Sequence, residues 1–327
     1  MSVKLFVTDL DGTLLPSGKD VPRENIEAVQ KAVRAGVIVT IATGRMYRAA
    51  LPVAEALGVD VPIITYNGAL IKSTKGKVYH TSYLKPEVIE QVVDFCQEQG
   101  WYLQSYSRDE LWVPVHDEHA QRYEQEQKVE GHIVGWDGLR EHTQEVCKLL
   151  TISEDGQETE RRLAILNERF GADIVAMQSN ARYGEIVNHG VSKAEGLRRL
   201  AERLGIAVAD TMAIGDSYND LPMLKAAGHS VAMGNAVPEV AEYIAKWPVT
   251  KEFTRLLDEM IDFLVPQYIK EGKSQFVIAV GCTGGMHRSV YIAKHIFDRL
   301  TAQGYSTRLE HRDLMKNDVR EHVREEC

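Results

Sequence analysis

Three short apolar runs in this chain each break off into a cluster of acidic, hydroxyl and glycine residues. The first, Val3–Thr8, runs into Asp9-Leu10-Asp11-Gly12-Thr13; the second, Val37–Ala42, into Thr43-Gly44-Arg45. The third, Thr211–Ile214, runs into Gly215-Asp216-Ser217-Tyr218-Asn219-Asp220. Runs of this length and composition read as strands, and in open α/β sheets ligands bind just beyond such strand ends. Alternation along the first strand points Asp9 and Asp11 to the same side, and Gly12 lets the chain turn away sharply. A carboxylate pair so placed is both a hard-metal site and a nucleophile with its own acid/base partner.

The remaining groups suit a phosphoryl ligand. Thr43 and the free N–H groups at Thr43-Gly44, just before a helix, favour an anion. Lys193 opens the amphipathic helix Ala194–Leu204, from which an ammonium can reach a phosphoryl oxygen. Asp216 adds a carboxylate at a third strand end, and Asp220 falls one helical turn later on the same side. Singly, each has an ordinary explanation as a turn, a solvated lysine or a helix cap with a surface charge. Their joint occurrence in this order, all at strand ends or helix starts, favours one shared site.

Asp9–Leu15, Ala42-Thr43-Gly44-Arg45, Lys193 and Gly215–Asp220 resemble the four motifs of the haloacid dehalogenase superfamily, in wording closest to its Cof-type sugar-phosphate phosphatases. Asn67-Gly68-Ala69, after the strand Ile63–Tyr66, and Ser230–Ala236 agree with that subfamily. The resemblance covers about Met1 to about Ala245. It implies a magnesium-dependent phosphatase that hydrolyses a small phosphorylated metabolite, in this subfamily a sugar phosphate, through an aspartyl-phosphate. In that scheme Asp9 attacks phosphorus, and Asp11 protonates the leaving alkoxide and then deprotonates water. Magnesium is held by the Asp9 carboxylate, the Asp11 backbone carbonyl and Asp216, with Asp220 beside them. Thr43, Gly44 and Lys193 hold the phosphoryl oxygens, while Asn219 and Asp220 orient the metal shell and Lys193. Arg45, Asn67, Gly68, Glu185 and Asn188 are candidates for contacting the substrate. His189 reads more readily as a turn residue than as a ligand, and Trp112 and Trp136 as packing.

The expected fold class is α/β: a Rossmann-like parallel-sheet core, an inserted α+β cap and a C-terminal α/β segment. Strand–helix alternation assigns residues 1–82 and 185–250 to a phosphatase core split in sequence. Helical patterns at Pro86–Gln99 and Gly156–Phe170, with strand patterns at Trp101–Tyr106, Leu111–Val115, Lys148–Ser153 and Ile174–Gln178, make 83–184 the cap. A chain of 327 residues has room for such a division. Its net charge of −9 does not advertise nucleic acid or an anionic membrane as partner. No apolar run reaches membrane-spanning length, and a strand near the start, with no leader pattern before it, makes a chain without a targeting segment the expectation. Cys96, Cys147, Cys282 and Cys327 lack disulfide or zinc spacing, so the expected location is a reducing cytoplasm.

Residues 251–327 depart from this pattern. A helix is expected near Phe253–Leu264, then a strand Gln275–Val280 entering Gly281-Cys282-Thr283-Gly284-Gly285-Met286-His287-Arg288-Ser289, a helix Val290–Thr301 and a strand Ser306–Glu310. A strand, a Gly-rich turn and a helix start present N–H groups to an anion, and Arg288 adds a bidentate fork. Cys282 and Arg288 also have the Cys-x-x-Gly-x-x-Arg-Ser spacing of cysteine-dependent phosphatases. Gly281 stands where those enzymes usually carry histidine, so anion binding is preferred over catalysis. A tight turn with His287 and Arg288 on its rim is the remaining alternative.

Lys246-Trp247-Pro248, Pro266-Gln267-Tyr268, Glu271–Ser274, Gly281–Tyr291 and Arg308–Leu314 resemble the C-terminal part of the RapZ-type RNase adapter family. That resemblance implies an amino-sugar phosphate ligand at Thr283, Gly284, His287 and Arg288, and contact with RNA. The family's N-terminal nucleotide-binding domain and the first half of its C-terminal domain are missing. Residues 266–327 hold 10 Lys/Arg and 8 Asp/Glu, leaving 28 and 39 for the first 265 residues. A slightly basic tail on an acidic body permits RNA contact without arguing for it. Strands of a half-domain need a partner, either the phosphatase sheet or a second copy of the chain.

Overall fold

The computed structural model describes residues 3–16, 20–245, 248–272, 276–278 and 288–308. They fall in two compact units, Met1–Val231 and Ala232–Cys327. The first unit begins with β1 (Leu5–Thr8), α1 (Arg23–Arg34), β2 (Ile38–Ile41) and α2 (Tyr47–Leu57), then a ribbon of β3 (Ile63–Thr65), β4 (Leu70–Lys72) and β5 (Val78–Thr81). A cap follows, made of α3 (Pro86–Glu98), β6 (Tyr102–Ser107), β7 (Glu110–Val113), α4 (Glu118–Gln127) and β8 (Gly131–Ile133), then α5 (Gly135–Glu141), β9 (Val146–Ile152), α6 (Gly156–Phe170), β10 (Ile174–Gln178) and β11 (Tyr183–Asn188). The core resumes with α7 (Lys193–Arg203), β12 (Thr211–Gly215), α8 (Leu221–Ala226) and β13 (His229–Ala232).

The core sheet has the order β13-β12-β1-β2. β1 pairs in parallel with both neighbours, Leu5 lying opposite Thr211 on one side and Ile38 on the other. Thr8 is therefore level with Ile214 and Ile41, so all three strands release their polar clusters at one edge. A parallel bridge from Ala42 to Ile64 brings β3 alongside β2. Leu5, Val7, Val39, Ile41 and Ala213 are buried between the sheet's faces, as expected for parallel strands covered by helices on both sides. Each such aliphatic side chain contributes roughly 1.5–3 kcal/mol when fully removed from water.

α7 is pressed against the β3–β4 connection. Ser192 caps it, its hydroxyl accepting from Glu195 N at 3.2 Å, and Leu197, Leu200 and Ala201 face the core. Two glycines permit the approach. A Cβ at Gly68, whose φ is +103°, would sit 2.4 Å from Ser192 O, and one at Gly196 would sit 2.6 Å from Ile64 Cγ2.

The cap sheet has the order β10-β11-β9-β6-β7-β8, antiparallel except for the β7–β8 pair. On one face Leu103, Leu149 and Ile186 pack with Ile89, Val92 and Leu166 from α3 and α6. On the other, Tyr102, Tyr106 and Val187 belong to the same apolar cluster as Leu10, Met46 and Tyr66 of the core. The β6–β7 turn docks there: Asp109 Oδ1 accepts from Tyr66 Oη at 2.7 Å and from Arg48 N, at the start of α2, at 3.3 Å. Trp112 stacks on His142 and Trp136 packs against the outer apolar cluster, so both indoles serve packing.

Several elements differ from expectation. Residues 182–189, for which the sequence patterns name no strand, contain β11, in which Gly184 and Glu185 hide the apolar alternation. The cap boundary expected at 184 falls inside this strand, which stays paired in the cap sheet to Asn188. α4 was not foreseen because only Ala120 and Tyr123 of its ten residues are buried, so it carries no apolar stripe.

In the second unit, α9 (Pro238–Ala245) and α10 (Pro248–Lys270) precede α11 (Arg288–Ala302). α10 runs through Pro266, a residue that ordinarily ends a helix, and so exceeds the expected Phe253–Leu264. Ile261 packs with Ile296 and Leu300, flanked by a hydrogen bond between His295 and Asp258 at 2.9 Å and an ion pair of Arg299 with Asp262 at 2.6 Å. Phe276–Ile278 and Ser306–Arg308 carry no strand pairing among the described residues; the rest of those two expected strands lies outside them. No helix among the described residues is long and apolar enough to cross a membrane. Cys96 and Cys147 are free thiols in the cap, and burial pushes each up to about 12.

Gly68→Ala combines a left-handed backbone with a clash against a main-chain oxygen. It should lower stability by on the order of 2–3 kcal/mol in denaturant unfolding. A change within about 0.5 kcal/mol, the range of ordinary surface substitutions, would refute the close-approach account.

Candidate functional site

Asp9 follows the last residue of β1, and its N–H donates to Ile214 O at 3.0 Å, which continues the β12 pairing beyond the strand. Gly12 then adopts φ +82°, and a tight turn closes through Leu15 N to Leu10 O at 2.8 Å. Lys193, the first residue of α7, reaches into the same corner. Its Nζ donates to Asp9 Oδ1 and to Asp220 Oδ1, both at 2.6 Å, and all three side chains are almost wholly buried.

Asp220 is held on its other oxygen as well. Oδ2 accepts from Asp216 N and Ser217 N, both at 3.0 Å, in a capping box that shapes the turn after β12. Asp216 Oδ1 accepts from the Thr13 hydroxyl at 2.9 Å, joining the turns after β1 and β12.

Thr43 is buried beside this corner, its Oγ1 accepting from Arg45 N at 3.1 Å. Its carbonyl accepts from Asn67 N at 3.0 Å, in a turn where Asn67 has φ 56°. Asparagine tolerates that left-handed conformation better than most residues. The Arg45 guanidinium forks onto Asp11, with Nε 2.7 Å from Oδ2 and NH2 2.5 Å from Oδ1. Asp11 is half-exposed, its carboxylate engaged by Arg45.

The cap contributes two residues. Glu185 Oε2 accepts from Asn67 Nδ2 at 2.6 Å, and Lys148 Nζ donates to Gly44 O at 2.7 Å. Asn67 Oδ1 accepts from Asn219 Nδ2 at 3.0 Å, bringing Asn219 into the same network. Lys148 was missed by sequence reasoning, although a lysine within the apolar run Val146–Ile152 is a signal of buried charge. Thr13 was missed too; a threonine after Asp-x-Asp-Gly gives no sign of its partner 203 residues away.

Asn188 and His189 make other contacts. Asn188 donates to Ser82 Oγ at 3.0 Å, and His189 Nδ1 lies 3.2 Å from Gly171 O. Their polar groups are used where the cap chain meets the core and within the cap. Cys282, Thr283, Gly284, Gly285 and His287 lie outside the described residues, and of Arg288 only its place at the start of α11 is described.

The electrostatics follow from burial. Removal from water, reinforced by Asp220, holds Asp9 well above the usual carboxylate range, with Lys193 opposing. Asp216 is pushed up to about 6, by burial first and by Asp220 next. Burial alone would lower Lys193, but Asp220 and Asp9 outweigh it and raise the ammonium. One carboxylate oxygen from each of Asp9, Asp216 and Asp220 lies within 4.8 Å of the others. Three clustered carboxylates facing one ammonium leave net negative charge, and an all-oxygen set fits a hard divalent cation. Asp11 is absent from that cluster; its expected contribution was through the backbone carbonyl.

Comparison with known proteins agrees with this geometry. The family model for haloacid dehalogenase-like hydrolases matches residues 6–252, and that for the RapZ C-terminal domain matches residues 227–315. Phosphatase YwpJ of Bacillus subtilis is 27% identical over 261 residues, covering 73% of this chain and 92% of the relative. A haloacid dehalogenase-like hydrolase from Bacteroides thetaiotaomicron superposes with a TM-score of 0.66 at 29% identity, covering 74% of this chain and 92% of that one. A nucleotide-binding protein of Caldicellulosiruptor saccharolyticus is 53% identical over 79 residues, which is 24% of this chain; the chain spans about a quarter of that relative's length, 27%. The chain belongs to the haloacid dehalogenase-like hydrolases, as a phosphatase with a cap domain and a C-terminal segment of the RapZ type.

Proposed function

We propose that the chain is a magnesium-dependent phosphatase that hydrolyses a small sugar phosphate through an aspartyl-phosphate on Asp9. The observation that carries this reading is the convergence of Asp9, Lys193, Asp216 and Asp220 at the ends of adjacent parallel strands. Asp9 and Asp216 would hold magnesium, which supplies charge neutralisation for the phosphoryl oxygens. Asp220 acts chiefly by holding Lys193 and the turn after β12, since both its oxygens already accept hydrogen bonds.

In the first step an Asp9 oxygen attacks phosphorus, and the bond to the leaving oxygen breaks as Asp11 delivers a proton to it. In the second, a water oxygen attacks phosphorus, Asp11 takes the water's proton, and the bond to Asp9 breaks to release inorganic phosphate. Thr43, the Gly44 N–H and Lys193 hold the equatorial oxygens while charge shifts. Arg45 takes one lone pair on each oxygen of Asp11, which leaves the others open for proton transfer.

A second reading concerns the C-terminal segment, and the match of residues 227–315 to the RapZ C-terminal domain favours it. In it the C-terminal Gly-rich loop binds an amino-sugar phosphate and the chain acts as a ligand-sensing RNA or protein adapter.

Wild type should release p-nitrophenol from p-nitrophenyl phosphate and lose that activity in EDTA. Asp9→Asn should lower turnover by more than about 10⁴-fold. Metal-independent or absent release from wild type would overturn the reading.

Asp216 holds its proton to a higher pH than a free aspartate, and magnesium needs the carboxylate. Metal affinity should therefore rise as pH climbs through about 6, and Asp9, also raised by burial, should add to that rise. Below that point calorimetry should show roughly a tenfold loss per pH unit, and Asp216→Asn should flatten the profile. For the tail, glucosamine-6-phosphate should bind wild type but not Arg288→Ala; identical isotherms would exclude the loop as its site.

A further inference from the structure

Lys148 lies in β9, a strand of seven residues all of which are buried, and its side chain is 2% exposed. A buried ammonium is tolerated only when its charge and protons are answered. Its Nζ donates to Gly44 O at 2.7 Å and to Glu185 Oε2 at 3.2 Å, and it lies 4.6 Å over the Tyr106 ring. Glu185 takes Asn67 Nδ2 on the same oxygen, and a Cβ at Gly44 would lie 2.7 Å from its Oε1. Two cap residues thus grip the core at Gly44 and Asn67.

What they grip has a direction. Gly44 O and Arg45 N share one planar peptide unit, and Arg45 N donates to Thr43 Oγ1 at 3.1 Å. Fixing the carbonyl with Lys148 therefore fixes the donor that orients the Thr43 hydroxyl, leaving the hydroxyl proton for a ligand. On the other side, Glu185 takes the Asn67 amino group, so Asn67 Oδ1 is turned to accept from Asn219 Nδ2. Asn219 Oδ1 is left buried with no hydrogen-bond partner among the described residues. A buried acceptor without a donor is a demand on whatever enters the cleft.

We propose that Lys148 and Glu185 are a positioning pair for the phosphoryl cradle, setting Thr43 through the Gly44 peptide and Asn219 through Asn67. The proposal rests on the phosphatase reading above. Because the pair belongs to the cap and its partners to the core, the cradle is complete only with the cap seated.

Three variants test it: Lys148→Met, Lys148→Arg, and the double variant Lys148→Met/Glu185→Gln. The double variant leaves no unpaired buried charge and keeps an acceptor for Asn67, so it remains foldable where the single one fails. Each is measured for thermal unfolding, for kcat and KM with p-nitrophenyl phosphate, and for affinity toward orthovanadate with magnesium.

Loss of positioning should lower kcat about 30–100-fold in the folded double variant and weaken orthovanadate about tenfold, with KM changed by less than about threefold. Lys148→Arg should recover part of the kcat. A folded double variant with kcat and orthovanadate affinity within about twofold of wild type would overturn the pair. So would a change confined to KM, which would make the two residues leaving-group contacts. An inactive wild type would refute the phosphatase reading alone, and orthovanadate affinity of wild type against the double variant still decides the pair.

Discussion

Lys193 Nζ lies 2.6 Å from Asp9 Oδ1 and 2.6 Å from Asp220 Oδ1, in a corner from which water is nearly excluded. Burying three charged groups together is tolerable only when their geometry is good and the remaining lone pairs are satisfied. Much of the core can be understood as meeting that condition. The turn after β12 supplies two N–H groups to Asp220, so the carboxylate that anchors Lys193 is itself immobilised. The parallel register of β1 with β12 brings Asp9 level with that turn. Gly68 and Gly196 let the helix bearing Lys193 sit close enough for its side chain to reach. The fold and the charge cluster therefore constrain each other.

The arrangement also explains why negative charge is left over. One ammonium faces Asp9, Asp216 and Asp220, and burial holds both Asp9 and Asp216 above their usual range. A site that is electrically unfinished attracts a hard cation, and a cation plus Lys193 can then receive a phosphoryl dianion. Water exclusion strengthens each of these interactions. That exclusion depends on the cap, whose inner face shares an apolar cluster with the core.

The parallel core and its strand-end residues were legible because each signal was local: an apolar run, a break, then polar groups of fixed type. Asp9, Thr43, Asp216 and Asp220 follow strands that end at one sheet edge, and Lys193 reaches Asp9 and Asp220 from the start of α7. The cap was less legible. β11 contains Gly184, packed against Thr151 and Leu163, and Glu185, whose burial is explained by Gly44, Asn67 and Lys148, all far away in sequence. Asn188, placed on a segment that does lead to the site, spends its amide on Ser82 instead. Arg45 was expected to face substrate, and its pairing with Asp11 is a tertiary contact that no spacing announces. Helix α10 continues past Pro266, where the missing N–H and the ring's clash with the preceding turn make the local signal read as a helix end.

β11 has a consequence for how such enzymes diversify. Within eleven positions the chain passes from the cap sheet, through Glu185 and Asn188, to the cap of α7 at Ser192 and then to Lys193. Only His189, Gly190 and Val191 lie between β11 and Ser192, and Glu185 is already committed to the core. Transplanting a foreign lid with its outgoing strand would import a new neighbour for Gly44 and alter the lead-in to Lys193. Cutting before that strand would instead tear the recipient sheet. New substrate preferences on this scaffold are therefore reached more safely by point changes along the lid's inner face than by wholesale module exchange.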